Sequence, residues 1–316
     1  MFRRLHPRSL SAFLMLVCVS IDSPAADKAS EKPPTAASGD DDSPPLKPLN
    51  KQGTVLLDVK GKKLLLRSEV VLREGLLELL VCLKQSKEHE SILSVDAQAK
   101  FVHAGLLALK AEPGSPVRWQ PEFRPPAGQQ IDLFLTWTDD EGKLHRDPAQ
   151  YWVRRATRRY YVEKIETLPD TFKLPADTEL KWEPKHKELL WYGHMTEAQR
   201  DASLKISNDA EFQKAIKSFF KQSQIRQMEA NWVFAGSYFL TDEKTGDRFY
   251  QAESGDLICV ANFATATLDV ASSSSATNDD LMFEAFTEHI PPIGTKVTIE
   301  LIPVFEPAEK PIEPSK

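Results

Sequence analysis

Cysteine is scarce in this chain. Of three in 316 residues, Cys18 lies in an N-terminal apolar run, which leaves Cys82 and Cys259. Two cysteines alone can neither ligate an iron–sulfur cluster nor build a zinc ribbon. Glycine is sparse too, 13 in all, and no Walker A or dinucleotide loop is formed from it, so the phosphate cradles of nucleotide enzymes are excluded. The serine elbow of the α/β-hydrolases is missing, because Ala235-Gly236-Ser237-Tyr238-Phe239 lacks the second glycine. A zincin helix is missing as well, since His89-Glu90 has no second histidine four residues from the first. Positive charge is not in excess: at a net −6 and pI near 5.7 the overall field repels a polyanion, so nucleic acid is not an expected partner.

What is present points to a secreted globular domain. A hydrophobic fraction of 41%, with 16 Phe and 6 Trp, is enough to bury a real core. Arg3, Arg4 and Arg8, the apolar stretch from Leu10 to Ile21, and the small-residue zone Ser23-Pro24-Ala25-Ala26 read as a signal peptide over residues 1–26. Val17 before Cys18 is not the small residue that lipidation favours. The expectation is an exported protein of the periplasm or cell surface with no stable membrane span after cleavage. Export makes a Cys82–Cys259 disulfide chemically accessible; two buried reduced thiols are the alternative. Residues 27–52, rich in Lys, Pro, Ser, Ala and Asp, read as a disordered linker, and 306–316 as a disordered tail.

The periodicities predict an α+β fold: a β-rich, mostly antiparallel sheet core with one buried helix and a helical insertion. Leu76 to Leu83 makes a strand apolar on both faces, and Ile131, Leu133, Leu135 and Trp137 alternate with polar neighbours. Asp96 stands where a helix N-cap belongs, Ala99, Val102, Leu106 and Leu109 mark one helical face, and Pro113-Gly114 stop it. Within the insertion, placed at about 163–226, Thr196 caps one helix. Asn208 with Glu211 forms a capping box for a second, striped by Phe212, Ala215, Ile216, Phe219 and Phe220. Asn231 to Leu240, Leu257 to Phe263 and Lys296 to Val304 return the chain to the sheet, and Asn278-Asp279-Asp280 caps a short helix through Phe286.

The candidate site is the charged corner Lys87-Glu88-His89-Glu90-Ser91 between two apolar strands, with His103 on the helix that follows. Ionisable groups so placed cost solvation free energy unless they find partners. One reading is structural: Lys87 or Arg124 pairs with Glu88 or Glu90, and the imidazoles of His89 and His103 bond backbone. The other is a metal-assisted or acid–base hydrolase using His89, Glu90 and His103. Arg154, Arg155, Arg158 and Arg159 beside Tyr160 and Tyr161 form a basic cluster, read as a solvated face balanced by acidic surface. The leading expectation is a non-catalytic binding or interaction domain of the cell envelope, without a cofactor, whose partner is an envelope protein or polymer.

Five ordered blocks carry a resemblance. They are the corner itself, the His103 helix ending in Glu112-Pro113-Gly114, Trp232-Val233-Phe234-Ala235-Gly236-Ser237, Glu253-Ser254-Gly255-Asp256-Leu257-Ile258, and Ile290-Pro291-Pro292-Ile293-Gly294-Thr295. Together they resemble the bacterial YdjY domain family over roughly Val55 to Tyr160 and Asn231 to Val304, with the insertion outside the pattern and the whole domain at 53–305. The resemblance implies an exported bacterial protein and supplies no catalytic residues to carry over.

Overall fold

A computed structural model describes residues 46–271 and 283–305. The expected signal peptide, the linker up to residue 45, the capping run Asn278-Asp279-Asp280 and the tail 306–316 lie outside the described residues.

Eleven strands form the main sheet. Eight run in the order Ile258–Cys259, Leu79–Leu83, Ser91–Val95, Lys63–Val70, Lys296–Pro303, Gln130–Thr138, Trp232–Val233, Asp269–Val270. Val55–Asp58, carrying Lys47–Pro48 on its other side, pairs with Lys63–Val70, and Leu144–Pro148 pairs with Gln130–Thr138. Every named pairing is antiparallel except that of Leu79–Leu83 with Ser91–Val95. Period-two alternation decides the faces. Ile131, Leu133, Leu135 and Trp137 turn inward with Val297, Ile299 and Leu301, and with Leu64, Leu66 and Val70. Leu79–Leu83, all five residues buried, lies one strand in from the edge.

The helix α1, Ala99–Ala108, packs on this inner face through Ala99, Val102 and Leu106. Gly105 allows the close approach: a Cβ there would sit 2.4 Å from Leu64 Cδ1. Three expectations about α1 are corrected. Its N-cap residue is Gln98, not Asp96, and contributes no side-chain bond. Instead Glu253, 154 residues on, accepts from the Ala99 and Lys100 N–H groups at 3.0 and 3.1 Å. The helix ends before Pro113-Gly114, at a left-handed Lys110 (φ 65), with Lys110 N–H bonded to Leu107 O and Ala111 N–H to Leu106 O. That is a Schellman end without its usual glycine. And α1 is only half buried, with Ala104, Leu107 and Ala108 exposed.

A lobe carries two helices, α2 (Glu197–Leu204) and α3 (Ala210–Gln222), together with a three-stranded sheet of Tyr160–Lys164, Glu188–Tyr192 and Lys181–Glu183. It has its own core, in which Phe212, Ile216 and Phe219 of α3 meet Leu189, Trp191 and Met195. Thr196 forms a capping box with Gln199 on α2. On α3 the cap is Asp209 rather than Asn208, and Glu211 accepts instead from the N–H groups of Glu166 and Thr167 at 2.8 and 3.0 Å, tying the helix to the loop that follows Tyr160–Lys164.

Elsewhere the chain departs from the expected runs where a local pattern hid a turn. The Asn231 to Leu240 run breaks at Gly236 (φ 85) and Ser237 (φ 49), and Phe239–Thr241 pairs only with Arg248–Tyr250. Phe283–Ala285 is a strand between Leu76–Leu77 and Val153–Arg155, not the end of a helix. The linker ends sooner than Gln52. Lys47–Pro48 is already paired, and buried Asn50 closes the following turn by accepting from the N–H groups of Thr54 and Val55, both at 3.0 Å.

Candidate functional site

The charged corner is a salt-bridge hub. Glu88–Glu90 winds into a single 3-10 turn, and Lys87 just before it reaches across to Asp256 on a segment remote in sequence. Its ammonium lies 3.0 Å from Asp256 Oδ1, 3.5 Å from Glu90 Oε1, 3.7 Å from Glu78 Oε2 and 4.7 Å from the centre of the Phe263 ring. Burial works against the Lys87 charge, but the three carboxylates, Asp256 foremost, outweigh it and hold its pKa above the ordinary value. Asp256 is buried, and its other oxygen accepts from the hydroxyls of Ser254 and Thr265. Burial, then the neighbouring Glu90, raises the pKa of Glu78.

Of the remaining corner residues, Glu88 accepts from the Gln85 N–H at 2.9 Å and Ser91 donates to Leu93 O. The expectation of a backbone bond for His89 is corrected: its side chain is 77% exposed, with Nε2 3.7 Å from Glu90 Oε2. The Arg124 guanidinium makes no ion pair with Glu88 or Glu90 among the described residues, and its backbone bridges to Arg118.

His103 belongs to a different neighbourhood. Its Nδ1 lies 3.0 Å from the hydroxyl of Tyr250, which donates to Gly236 O at 3.1 Å and shares a bond of 3.1 Å with Thr267 Oγ1. Rings of Phe234, Tyr250 and Phe239 stand edge-on at 5.0, 5.2 and 6.1 Å. Burial lowers the His103 pKa, and the Gly236 backbone opposes the shift. The partner expected from the sequence, a backbone carbonyl, is thus mainly replaced by a tyrosine. Lys87 and Glu90 are brought together, as are His89 and Glu90, but His103 is not joined to them. No group of three or more His, Cys, Asp or Glu among the described residues is placed to hold a metal ion.

Cys82 and Cys259 are buried free thiols in one small apolar cluster with Leu79, Ala266 and Phe263. Burial raises both thiol pKa values, Cys259 the more, which makes them poor nucleophiles. The basic cluster finds local acids: Arg154 with Glu284 at 2.9 Å and Glu288 at 3.5 Å, and Arg158 with Glu74 at 2.6 Å.

The main sheet's outer face, which sequence reasoning passed over, carries a second constellation. Residues directly opposite one another on paired strands share a face. One row holds Lys296, Glu69 and Ser94; the next holds Arg67, Thr298, Thr136 and Arg146. Farther along, Glu300 receives Lys63 at 3.3 Å and Arg146 at 3.1 Å, and the Arg146 guanidinium lies 3.7 Å from the centre of the Phe134 ring. At the other end a cleft of about 410 Å³ opens between Arg67, Glu69, Lys84, Ser94, Asp96 and Lys296. The available signal was the alternation of Arg67 and Glu69 with Ser68 and Val70 along the single strand Lys63–Val70.

This architecture defines an α+β domain whose sheet gives one face to a core and leaves the other polar and open. The chain belongs to the YdjY domain family, whose model matches residues 50–159 and 200–301. The unmatched residues 160–199 contain the lobe's three strands and the start of α2. Neither the curated proteins nor the solved structures hold a match to the chain. Among the described residues no helix is long and apolar enough to cross a membrane.

Proposed function

We propose that this chain is an exported, non-catalytic binding domain of the cell envelope, with an envelope polymer or protein as its partner. The observation that carries the reading is the open outer face of the sheet, whose cleft holds Arg67 and Lys84 with no carboxylate in ion-pair contact, beside Lys296 bonded to Glu69. The half-buried cations Lys87 and Arg154 are each paired with a carboxylate, and two cations without such a contact gathered in one cavity support a ligand site there. Export rests on the N-terminal Arg3 to Ala26 pattern. The hydrolase alternative has no geometric support, since nothing draws His89, Glu90 and His103 to a common point.

The immobilised full chain, exposed to envelope extract, should enrich a polymer or protein over a folded control of similar charge, and no enrichment would remove the reading. N-terminal sequencing of the protein recovered from cell fractions tests export. A mature chain starting near Asp27 in the envelope fraction is expected, and an intact Met1 in the cytoplasm would contradict it.

A further inference from the structure

We infer that the outer-face cleft is the seat of an acidic sugar, a single carboxylate carried on a polyhydroxylated ring; this rests on the binding-domain reading and names its ligand. The cleft lies where the two parallel strands end: Lys84 directly follows Leu83, and Asp96 directly follows Val95. Carboxyl ends of parallel strands are recurrent ligand positions, because adjoining strands stop together there and their connections diverge.

Three features specify the ligand. The side chains of Arg67 and Lys84 are exposed and make no hydrogen bond or ion pair among the described residues; Lys84 acts on Glu69 only through its charge, so both cations keep their donors available to an oxyanion. Ser94 lines the cleft, and its hydroxyl makes no hydrogen bond among the described residues and is not among the solvent-sealed side-chain atoms, so it opens to the cleft. A hydroxyl open to the cleft can both donate to and accept from a ligand seated there. Finally, Glu69 and Asp96 place acceptors in the same cleft, and Lys296, hydrogen-bonded to Glu69, keeps that carboxylate ionised by lowering its pKa. Acceptors beside free cations suit a molecule that offers hydroxyl donors as well as a negative charge.

The charges also choose among anions. Arg67, Lys84 and Lys296 against Glu69 and Asp96 leave one net positive charge in the cleft, which matches a carboxylate better than a dianionic phosphate. No aromatic side chain lines it, so the recognition is by hydrogen bonds and charge, not by stacking.

Binding of D-galacturonate, galactose and galactose 6-phosphate to the full chain, followed by calorimetry, isolates the group at one ring carbon. Galacturonate is expected to bind at least about tenfold more tightly than either of the others, with an affinity that falls as salt is raised. Arg67→Glu and Lys84→Glu should each weaken it by about tenfold or more, and Ser94→Ala by about two- to tenfold. All three variants should melt with the parent, and Arg67→Gln serves if a reversed charge disturbs folding. Equal binding of galactose, tighter binding of the phosphate, or an unaffected Arg67→Gln overturns the assignment. If envelope material is still retained after any of those results, the binding-domain reading stands without this ligand. If nothing is retained and nothing binds, both fall.

Discussion

At the scale of single residues, a half-buried histidine and a buried aspartate give opposite dependences on pH. His103 has a folded-state pKa below its ordinary 6.5 because burial disfavours the imidazolium. The unfolded chain therefore binds that proton more readily, and folding free energy is lost as pH falls through 6.5. His103→Gln should melt with a shallower decline than the parent on acidification from about pH 7 to about 5, and superimposable curves would remove His103 as a cause.

Asp269 runs the other way. Burial pushes it up to about 8 from an ordinary 3.8, against donors on Phe263 N at 3.0 Å, Val270 N at 2.8 Å and Asn262 Nδ2 at 3.2 Å. The folded state holds the proton, so its contribution is complete below 3.8 and lost as pH rises toward about 8. Asp269→Asn should flatten the fall in melting temperature over that range; an unchanged slope would mean that the three donors keep the carboxylate ionised. The sequence marked His103 as the lone ionisable residue on an apolar helix. It could not supply Tyr250, 147 residues away, nor reveal that Asp269, polar in a short strand, would be wholly enclosed.

Among the elements, α1 shows how local rules mislead. Asp96 has the chemistry of a cap and nearly the position, but the two N–H groups go to Glu253, whose charge also complements the helix dipole. Glu253→Ala should lower stability by about 1–2 kcal/mol in urea denaturation, and Glu253→Gln by less, because one acceptor oxygen remains. An unchanged midpoint for Glu253→Ala would show that water caps the helix equally well. The glycine-dependent contacts were no more legible. Gly114 reads as a helix stop, whereas its role is the close approach of two backbones: an added Cβ would lie 2.0 Å from Ala127 O. The capping box on α2 was legible because Thr196 and Gln199 are three residues apart, within reach of a pattern. The outer-face cleft was not, since strand pairing brings its residues together from widely separated segments.

For the whole molecule, apolar alternation was enough to announce an α+β fold and a β-rich core, but not the order of the strands. It also left unstated that the lobe keeps a hydrophobic cluster separate from the main one. Phe212 is fully buried in that second cluster, so Phe212→Ala should cost about 3–5 kcal/mol, felt in the lobe first. Hydrogen exchange should report lost protection in α3 with little change in Lys296–Pro303. Equal loss in both would make the two cores one cooperative unit.

The Lys296–Pro303 strand sits between Lys63–Val70 and Gln130–Thr138, although it is the last strand of the described chain. Until it arrives, both neighbours have open edges, and two halves of a sheet wait on a partner found 229 residues from Ser68. Joining of the two halves is therefore expected late in folding, and the long sequence separation of the pairing should make that step slow. A chain cut short before Lys296 would keep two adhesive borders and should clump rather than persist as a smaller soluble domain.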